Sequence, residues 1–162
     1  MREVILAGGC FWGVEAYFKQ LAGITDSDVG YIDGAFKNPS YEQVCHGSGH
    51  AEAVKLTFDE TVISFDKILD HYFNIVDPTL KNRQGPDIGM QYRSGFYNLD
   101  EDLEAQLVNR LKAEQKNYDK PLQVEIRHGV HYDQAEGYHQ DYLDKNPSGY
   151  CHINLNTVKD VL

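Results

Sequence analysis

Cys10 stands in Gly8-Gly9-Cys10-Phe11-Trp12-Gly13, between a short apolar run and a stretch with helical spacing. The two glycines before it permit a tight turn and close approach of a ligand to the backbone. The first turn of a helix offers unpaired N–H groups and a partial positive charge. Both favour a thiolate, the nucleophilic form of cysteine. Phe11 and Trp12 would flank that thiol with apolar surface. The competing reading is an inert buried cysteine beside core aromatics. Cys151 lies far along the chain, in Pro147-Ser148-Gly149-Tyr150-Cys151-His152. Pro and Gly predict an irregular tail there. Such a thiol could resolve an oxidised nucleophile, or be a surface cysteine with no role. Cys45 has no special surroundings and reads as a bystander.

Three further residue types bear on chemistry. Glu52 opens an otherwise apolar run, Ala51-Glu52-Ala53-Val54. If buried, its pKa would rise and it could donate a proton near neutral pH; otherwise it is an exposed strand end. Tyr41 and Tyr92 lie in Gly- and Asn-rich stretches, and a phenol can donate to a developing oxyanion. With 11 tyrosines in the chain, packing is the plainer reading for both. Asp87, in Gly85-Pro86-Asp87-Ile88-Gly89, shapes a turn by default. The seven histidines are candidate metal ligands. Cys45-His46 with His50, and His128, His131 and His139 with Glu136, match no paired zinc spacing, so no metal is expected. A Cys–His hydrolase dyad stays open, since those groups need only meet in space.

The elements that position these residues follow from periodicity. Glu3 to Ala7 reads as a buried strand. Val14, Tyr17, Phe18 and Leu21 form an i, i+3, i+4, i+7 stripe over Gly13 to Leu21, a helix. Ile24 to Gly34 reads as extended, Ala35 to His50 as loop and Ala51 to Phe58 as a strand. Ser64 caps a helix from Phe65 to Val76, which Asp77-Pro78 ends. Thr79 to Arg93 is a long polar loop, a length that in compact domains goes with function. Ser94 to Leu99 is a strand, Asp100 to Tyr118 the longest helix and Leu122 to Arg127 a strand. Gly137 to Lys145 is a short helix, and the tail from Ser148 carries few regular signals. The order predicts a ferredoxin-like βαββαβ core in the α/β (α+β) class, helices on a mixed sheet, as one domain over 1–162.

Composition bounds the rest. At 162 residues the chain can bury roughly 70% of its unfolded surface, so it needs no staples. The net charge of −10 argues against nucleic acid and against anionic membrane surfaces. The apolar stretch Val4 to Ala7 is too short for a signal peptide and no stretch is long enough for a transmembrane helix. A cytoplasmic, reducing location is expected. Three cysteines cannot all pair within the chain. A thiol must then be free, shared between chains or used in chemistry.

The segment Gly9-Cys10-Phe11-Trp12-Gly13-Val14-Glu15 closely resembles the signature of the A-type peptide methionine sulfoxide reductases. Gly30-Tyr31 with Asn38 to Cys45, then Gly49 to Val54, resemble the family's next blocks. Asp77-Pro78-Thr79, Arg83-Gln84-Gly85, Asp87-Ile88-Gly89 and Gln91 to Ser94 follow in order. Ala135-Glu136, Tyr138-His139-Gln140, Tyr142-Leu143, Asn146-Pro147 and Tyr150-Cys151 resemble the last block, so the likeness spans nearly the whole chain. The resemblance implies that Cys10 attacks the sulfoxide sulfur. It gives Glu52, Tyr41 and Tyr92 the sulfoxide oxygen, Phe11 and Trp12 the S-methyl pocket, and Asp87 support of the site. It makes Cys151 the resolving cysteine of a transient disulfide. It further implies the S-epimer as substrate, free or in oxidised proteins, thioredoxin as reductant, no cofactor, and a monomer. Two departures stand out: Asp33 and Ala35 replace a commoner Gly-Gly, and Met90, expected to pack the loop, replaces a common Thr. Alternatives of other classes are a disulfide-forming redox switch without turnover, and the hydrolase.

Overall fold

The computed structural model describes residues 1–161. In chain order it contains β1 (Arg2–Gly8), α1 (Phe11–Lys19), β2 (Ile24–Ile32), α2 (Tyr41–Cys45), β3 (Ala51–Phe58) and α3 (Phe65–Ile75). Then come β4 (Arg83–Gln84), β5 (Asp87–Ile88), β6 (Ser94–Tyr97), α4 (Glu101–Gln115), β7 (Glu125–Arg127), β8 (Tyr132–Gln134) and α5 (Tyr142–Lys145). Short 3₁₀ turns cover Met90–Tyr92, Gly137–His139 and Leu155–Asp160.

Six strands form one sheet in the order β7-β6-β1-β3-β2-β8, and β4 pairs with β5 in a separate hairpin. β1 runs antiparallel to both β3 and β6, and β2 antiparallel to both β3 and β8. β7 joins β6 in parallel, so the sheet is mixed, as expected. Alternation along β1 splits its side chains between the two faces. Val4 and Leu6 join the main core with Tyr17 and Phe18 of α1, Ile68, Leu69 and Tyr72 of α3, and Leu103 and Leu107 of α4. Ala7 joins Ile32, Ala51, Ala53 and Tyr97 in a smaller cluster. Each fully buried Leu or Phe contributes about 1.5–3 kcal/mol by leaving water.

The main helices form where the spacing placed them. α1 starts earlier than expected, at Phe11, because Cys10 itself takes the N-cap position with φ −59 and ψ 124. Ser64 accepts the Lys67 N–H and caps α3 as expected. The Tyr72 hydroxyl donates to the Ala7 carbonyl at 2.7 Å, fastening α3 to the end of β1.

Three local expectations need correction. The stretch 35–50 is not all loop: Ser40 and Gln43 form a reciprocal capping box that starts α2. The stretch 79–93 folds back as the β4–β5 hairpin and the 3₁₀ turn over Met90–Tyr92. The segment 137–145 is a 3₁₀ turn and α5 rather than one helix; between them Asp141 is left-handed at φ 53. The edge strand β8 has no short-range signal and exists through its pairing with β2.

Candidate active site

The site lies at the C-terminal end of β1, where the chain turns into α1. Gly9 makes that turn with φ +97, a conformation that L side chains rarely adopt. A Cβ there would also stand 2.9 Å from the Gln84 Cβ. Cys10 follows with only 7% of its surface exposed. Burial is the main force that pushes its thiol well above the ordinary cysteine range, and the Glu52 carboxylate adds to it. The backbone N–H groups of Trp12 and Gly13 oppose the shift and lose. The helix N-terminus, which favours a thiolate, is therefore outweighed by desolvation.

Glu52 is the second element of the site. It enters from β3, opposite Tyr31 of β2 in the register, and is 1% exposed. Its Oε1 accepts the Phe11 N–H at 3.1 Å, which ties β3 to the first turn of α1. Burial pushes its pKa up to about 8, with Asp87 adding and the Phe11 N–H opposing. At neutral pH most of the population keeps the carboxyl proton.

Tyr41 and Tyr92 reach the same region from separate segments. Burial, then the Glu52 carboxylate, raises both phenols above the ordinary tyrosine range, so both remain donors. Cys10 contributes to the shift at Tyr92. Tyr41 is the first residue of α2, and its N–H donates to Glu136 Oε2 at 2.9 Å. The other oxygen of Glu136 accepts the Tyr31 hydroxyl at 2.7 Å. Glu136 thus fixes the start of α2 against β2. Tyr92 is held through its neighbour Arg93, which is buried. The Arg93 guanidinium donates to the Gly49 carbonyl at 2.9 Å, the Met90 carbonyl at 3.0 Å and Glu125 at 2.8 Å. It also reaches the Asp33 carboxylate at 3.2 Å. Asp33 takes the left-handed φ of 60 that a glycine would otherwise supply, and its carboxylate adds a partner for Arg93. The Met90 side chain is 51% exposed and does not pack the loop; its carbonyl carries the contact.

The aromatic pair after Cys10 divides. Phe11 is 1% exposed, with its ring 5.7 Å from Tyr31 and 5.1 Å from His139. Trp12 is half-buried and stacks on Tyr142 at 3.8 Å, and its indole N–H donates to His139 Nδ1 at 2.9 Å. His139 also packs 4.4 Å from the Tyr41 ring. Asp87, on the β4–β5 hairpin, accepts the Tyr150 hydroxyl at 2.9 Å and raises Glu52. Tyr150 immediately precedes Cys151, so this bond anchors the tail beside the site. The Cys151 thiol donates to the Ile153 carbonyl at 3.1 Å, and a Cβ on Gly13 would stand 3.0 Å from its sulfur. Gly13 costs the helix about 1 kcal/mol relative to alanine, and the space it leaves admits the tail.

The fold therefore gathers Cys10, Glu52, Tyr41, Tyr92 and Asp87, with Phe11 and Trp12 beside them and Cys151 against the next turn of α1. Cys10, Cys45 and Cys151 are all unpaired. Cys45, at the exposed end of α2, feels the Glu52 charge and lies nearer the site than its sequence suggests. Glu136, His139, Arg93 and Tyr150 had no site role assigned from sequence; Glu136 and His139 stood out only as rejected metal ligands, and all four lie in the resembling blocks. Among the described residues, no group of three or more His, Cys, Asp or Glu side chains is placed to hold a metal ion.

Known proteins resemble this chain in sequence and fold. The family model described as peptide methionine sulfoxide reductase matches residues 2–162. Peptide methionine sulfoxide reductase MsrA of Clostridium tetani is 53% identical over 158 residues, 96% of each chain. The reduced form of Mxr1 from Saccharomyces cerevisiae superposes with a TM-score of 0.87 at 35% identity, over 94% of this chain and 91% of that one. Mxr1 in complex with Trx2 shares the fold at a TM-score of 0.60 and 22% identity, over 87% of this chain and 84% of that chain. A match of that length, on a chain that buries one thiol beside a carboxyl and two phenols, makes this protein a member of the peptide methionine sulfoxide reductase family.

Proposed function

We propose that this chain reduces methionine S-sulfoxide, free or within oxidised proteins, to methionine. The observation that carries the reading is Glu52, a buried carboxyl whose pKa of about 8 keeps it protonated at neutral pH beside the Cys10 thiol. A sulfoxide oxygen is a poor leaving group until protonated. Glu52 supplies that proton, and the Tyr41 and Tyr92 hydroxyls donate to the same oxygen. The Cys10 sulfur attacks the sulfoxide sulfur, the oxygen passes to Cys10 as a sulfenic acid, and methionine leaves. Phe11 and Trp12 form the apolar seat of the S-methyl group, and Asp87 supports the site by holding Tyr150. Cys151 then displaces the sulfenic oxygen as water and closes a disulfide with Cys10. Thioredoxin reduces that disulfide; support comes from the sequence resemblance and from Mxr1, whose solved forms include one with Trx2.

Along the chain, β1-α1-β2-β3-α3-β6, with sheet order β6-β1-β3-β2, supports a ferredoxin-like core within a single domain over 1–162. No helix is long and apolar enough to cross a membrane among the described residues. The acidic charge supports a chain that engages neither anionic membrane nor nucleic acid, and we read it as a cytoplasmic monomer.

The test is a thiol count with product analysis. The resting protein holds three free thiols, and one equivalent of substrate should remove two. Cys10→Ser should abolish methionine formation with dithiothreitol. Cys151→Ser should release one equivalent of methionine and then stop with thioredoxin. Undiminished turnover by Cys10→Ser would sink the reading.

A further inference from the structure

The proposed roles of Cys10 and Cys151 leave one proton without a carrier. When Cys151 attacks the sulfenic acid its thiol must lose a proton, and the departing oxygen must gain one. The Cys151 thiol donates to the Ile153 carbonyl at 3.1 Å, and burial, against the Ile153 backbone, holds it protonated; a carbonyl cannot take the proton away.

His152 lies where such a carrier is needed. Gly9 and Gly13 bracket Cys10 in the chain, and the imidazole fills the space their side chains would occupy. A Cβ on Gly9 would stand 2.7 Å from Nε2, and a Cβ on Gly13 would stand 3.3 Å from Nδ1. The same point above Gly13 is 3.0 Å from the Cys151 sulfur. The ring therefore lies along the turn that carries Cys10, with Nδ1 and the Cys151 sulfur bordering one spot. Both ring nitrogens are sealed from solvent, and neither makes a hydrogen bond of good geometry among the described residues, the Gly8 backbone being the polar group that comes nearest to one. Leaving a buried polar group without a good partner is costly. The nearby Ile153 carbonyl is occupied by the Cys151 thiol instead. Burial holds the imidazole below its ordinary pKa, against the pull of the Asp87 carboxylate and of the Gly8 backbone, so it rests neutral with a lone pair.

We propose that His152 carries the proton of the disulfide-forming step, taking it from the Cys151 thiol and delivering it to the departing sulfenic oxygen. The Cys151 sulfur bonds to the Cys10 sulfur, the Cys10 S–O bond breaks, and water leaves with the transferred proton. The Cys10 sulfur is reduced and the Cys151 sulfur oxidised, so no outside reagent enters. The proposal rests on the reductase reading given above, and it concerns only the second step.

A single-turnover experiment on the full chain separates the two steps. Methionine release reports the attack by Cys10, and loss of free thiols reports disulfide closure. His152→Phe keeps a ring in the slot without nitrogens; His152→Gln keeps polarity without a base. In both, methionine release should keep its wild-type rate while thiol loss slows by about 100-fold or more. Adding imidazole to His152→Ala, which vacates the slot, should restore part of the lost rate. Wild-type thiol loss in either folded variant overturns the proposal. So does a slowing in His152→Ala that imidazole leaves unchanged, because a purely packing role predicts no rescue. Failure of the wild-type protein to release methionine would instead refute the reductase reading.

Discussion

Glu52→Gln removes a titrating group and leaves its shape. In the folded protein Glu52 has a pKa of about 8, against an ordinary value of 4.5. The raised value means that the folded state holds a proton which the unfolded chain releases. The stabilisation it brings is therefore complete below the unfolded pKa and fades as pH rises through the folded one. Each unit of difference is worth about 1.36 kcal/mol. Between about pH 5 and about pH 8 the wild-type protein should lose roughly 3–4 kcal/mol through this residue alone. No discount for solvent screening applies, because the side chain is 1% exposed. Glutamine cannot titrate, so the variant should lack this slope. Other groups titrate in the same window, and taking the difference between the two proteins removes them. In a domain of this size the differential shift in melting temperature is roughly 7 to 14 °C across that range. Thermal melts of both proteins at the two pH values read it directly. Parallel pH slopes would refute the raised pKa, and with it the account of Glu52 as a proton donor held ready at neutral pH.

Other expectations follow from the same geometry. The rate of methionine formation should fall about tenfold per unit as pH rises above the Glu52 pKa of about 8, because the deprotonated acid has no proton to give. A pH profile under single turnover checks it, and a flat profile through pH 9, about one unit above that pKa, would contradict it. Gly13→Ala would place a Cβ 3.0 Å from the Cys151 sulfur. Methionine release should persist in that variant while thioredoxin-supported turnover drops, as measured by NADPH consumption in a coupled assay. Arg93→Met should cost about 3 kcal/mol or more in urea denaturation, since Asp33 and Glu125 keep their charges and retain only the exposed Arg127 as a cationic partner.

Much of the architecture was legible because local chemistry and global packing agree. Ala51 to Phe58 reads as a strand and is one, since its apolar content suits a central strand buried on both faces. Ser64 reads as a cap and serves as one. Where the reading fell short, the missing partner was distant. The capping box at Ser40 and Gln43 was present in the sequence, yet the surrounding Gly, Asn and Pro spoke more strongly for a loop. The three-residue strand β8 has no pattern of its own and depends on the free edge of β2. Glu136 reads as one carboxylate among many until the fold sets it between Tyr31 and Tyr41.

The site divides in the same way. The chain by itself determined which groups were present: a thiol after two glycines at a helix start, a carboxyl in an apolar run, phenols in loops and a late second thiol. Ordered motifs also fixed their family likeness. Only the tertiary structure decided the state of those groups. Whether Cys10 rests as thiol or thiolate depends on two opposing effects, the helix N-terminus and desolvation. The first is local and visible in sequence. The second is set by what packs above the sulfur from β3, the β4–β5 hairpin and the tail. Burial wins, the thiol rests protonated, and Glu52 keeps its proton for the same reason. A pKa belongs to an environment, and that environment is assembled from segments that meet only after folding.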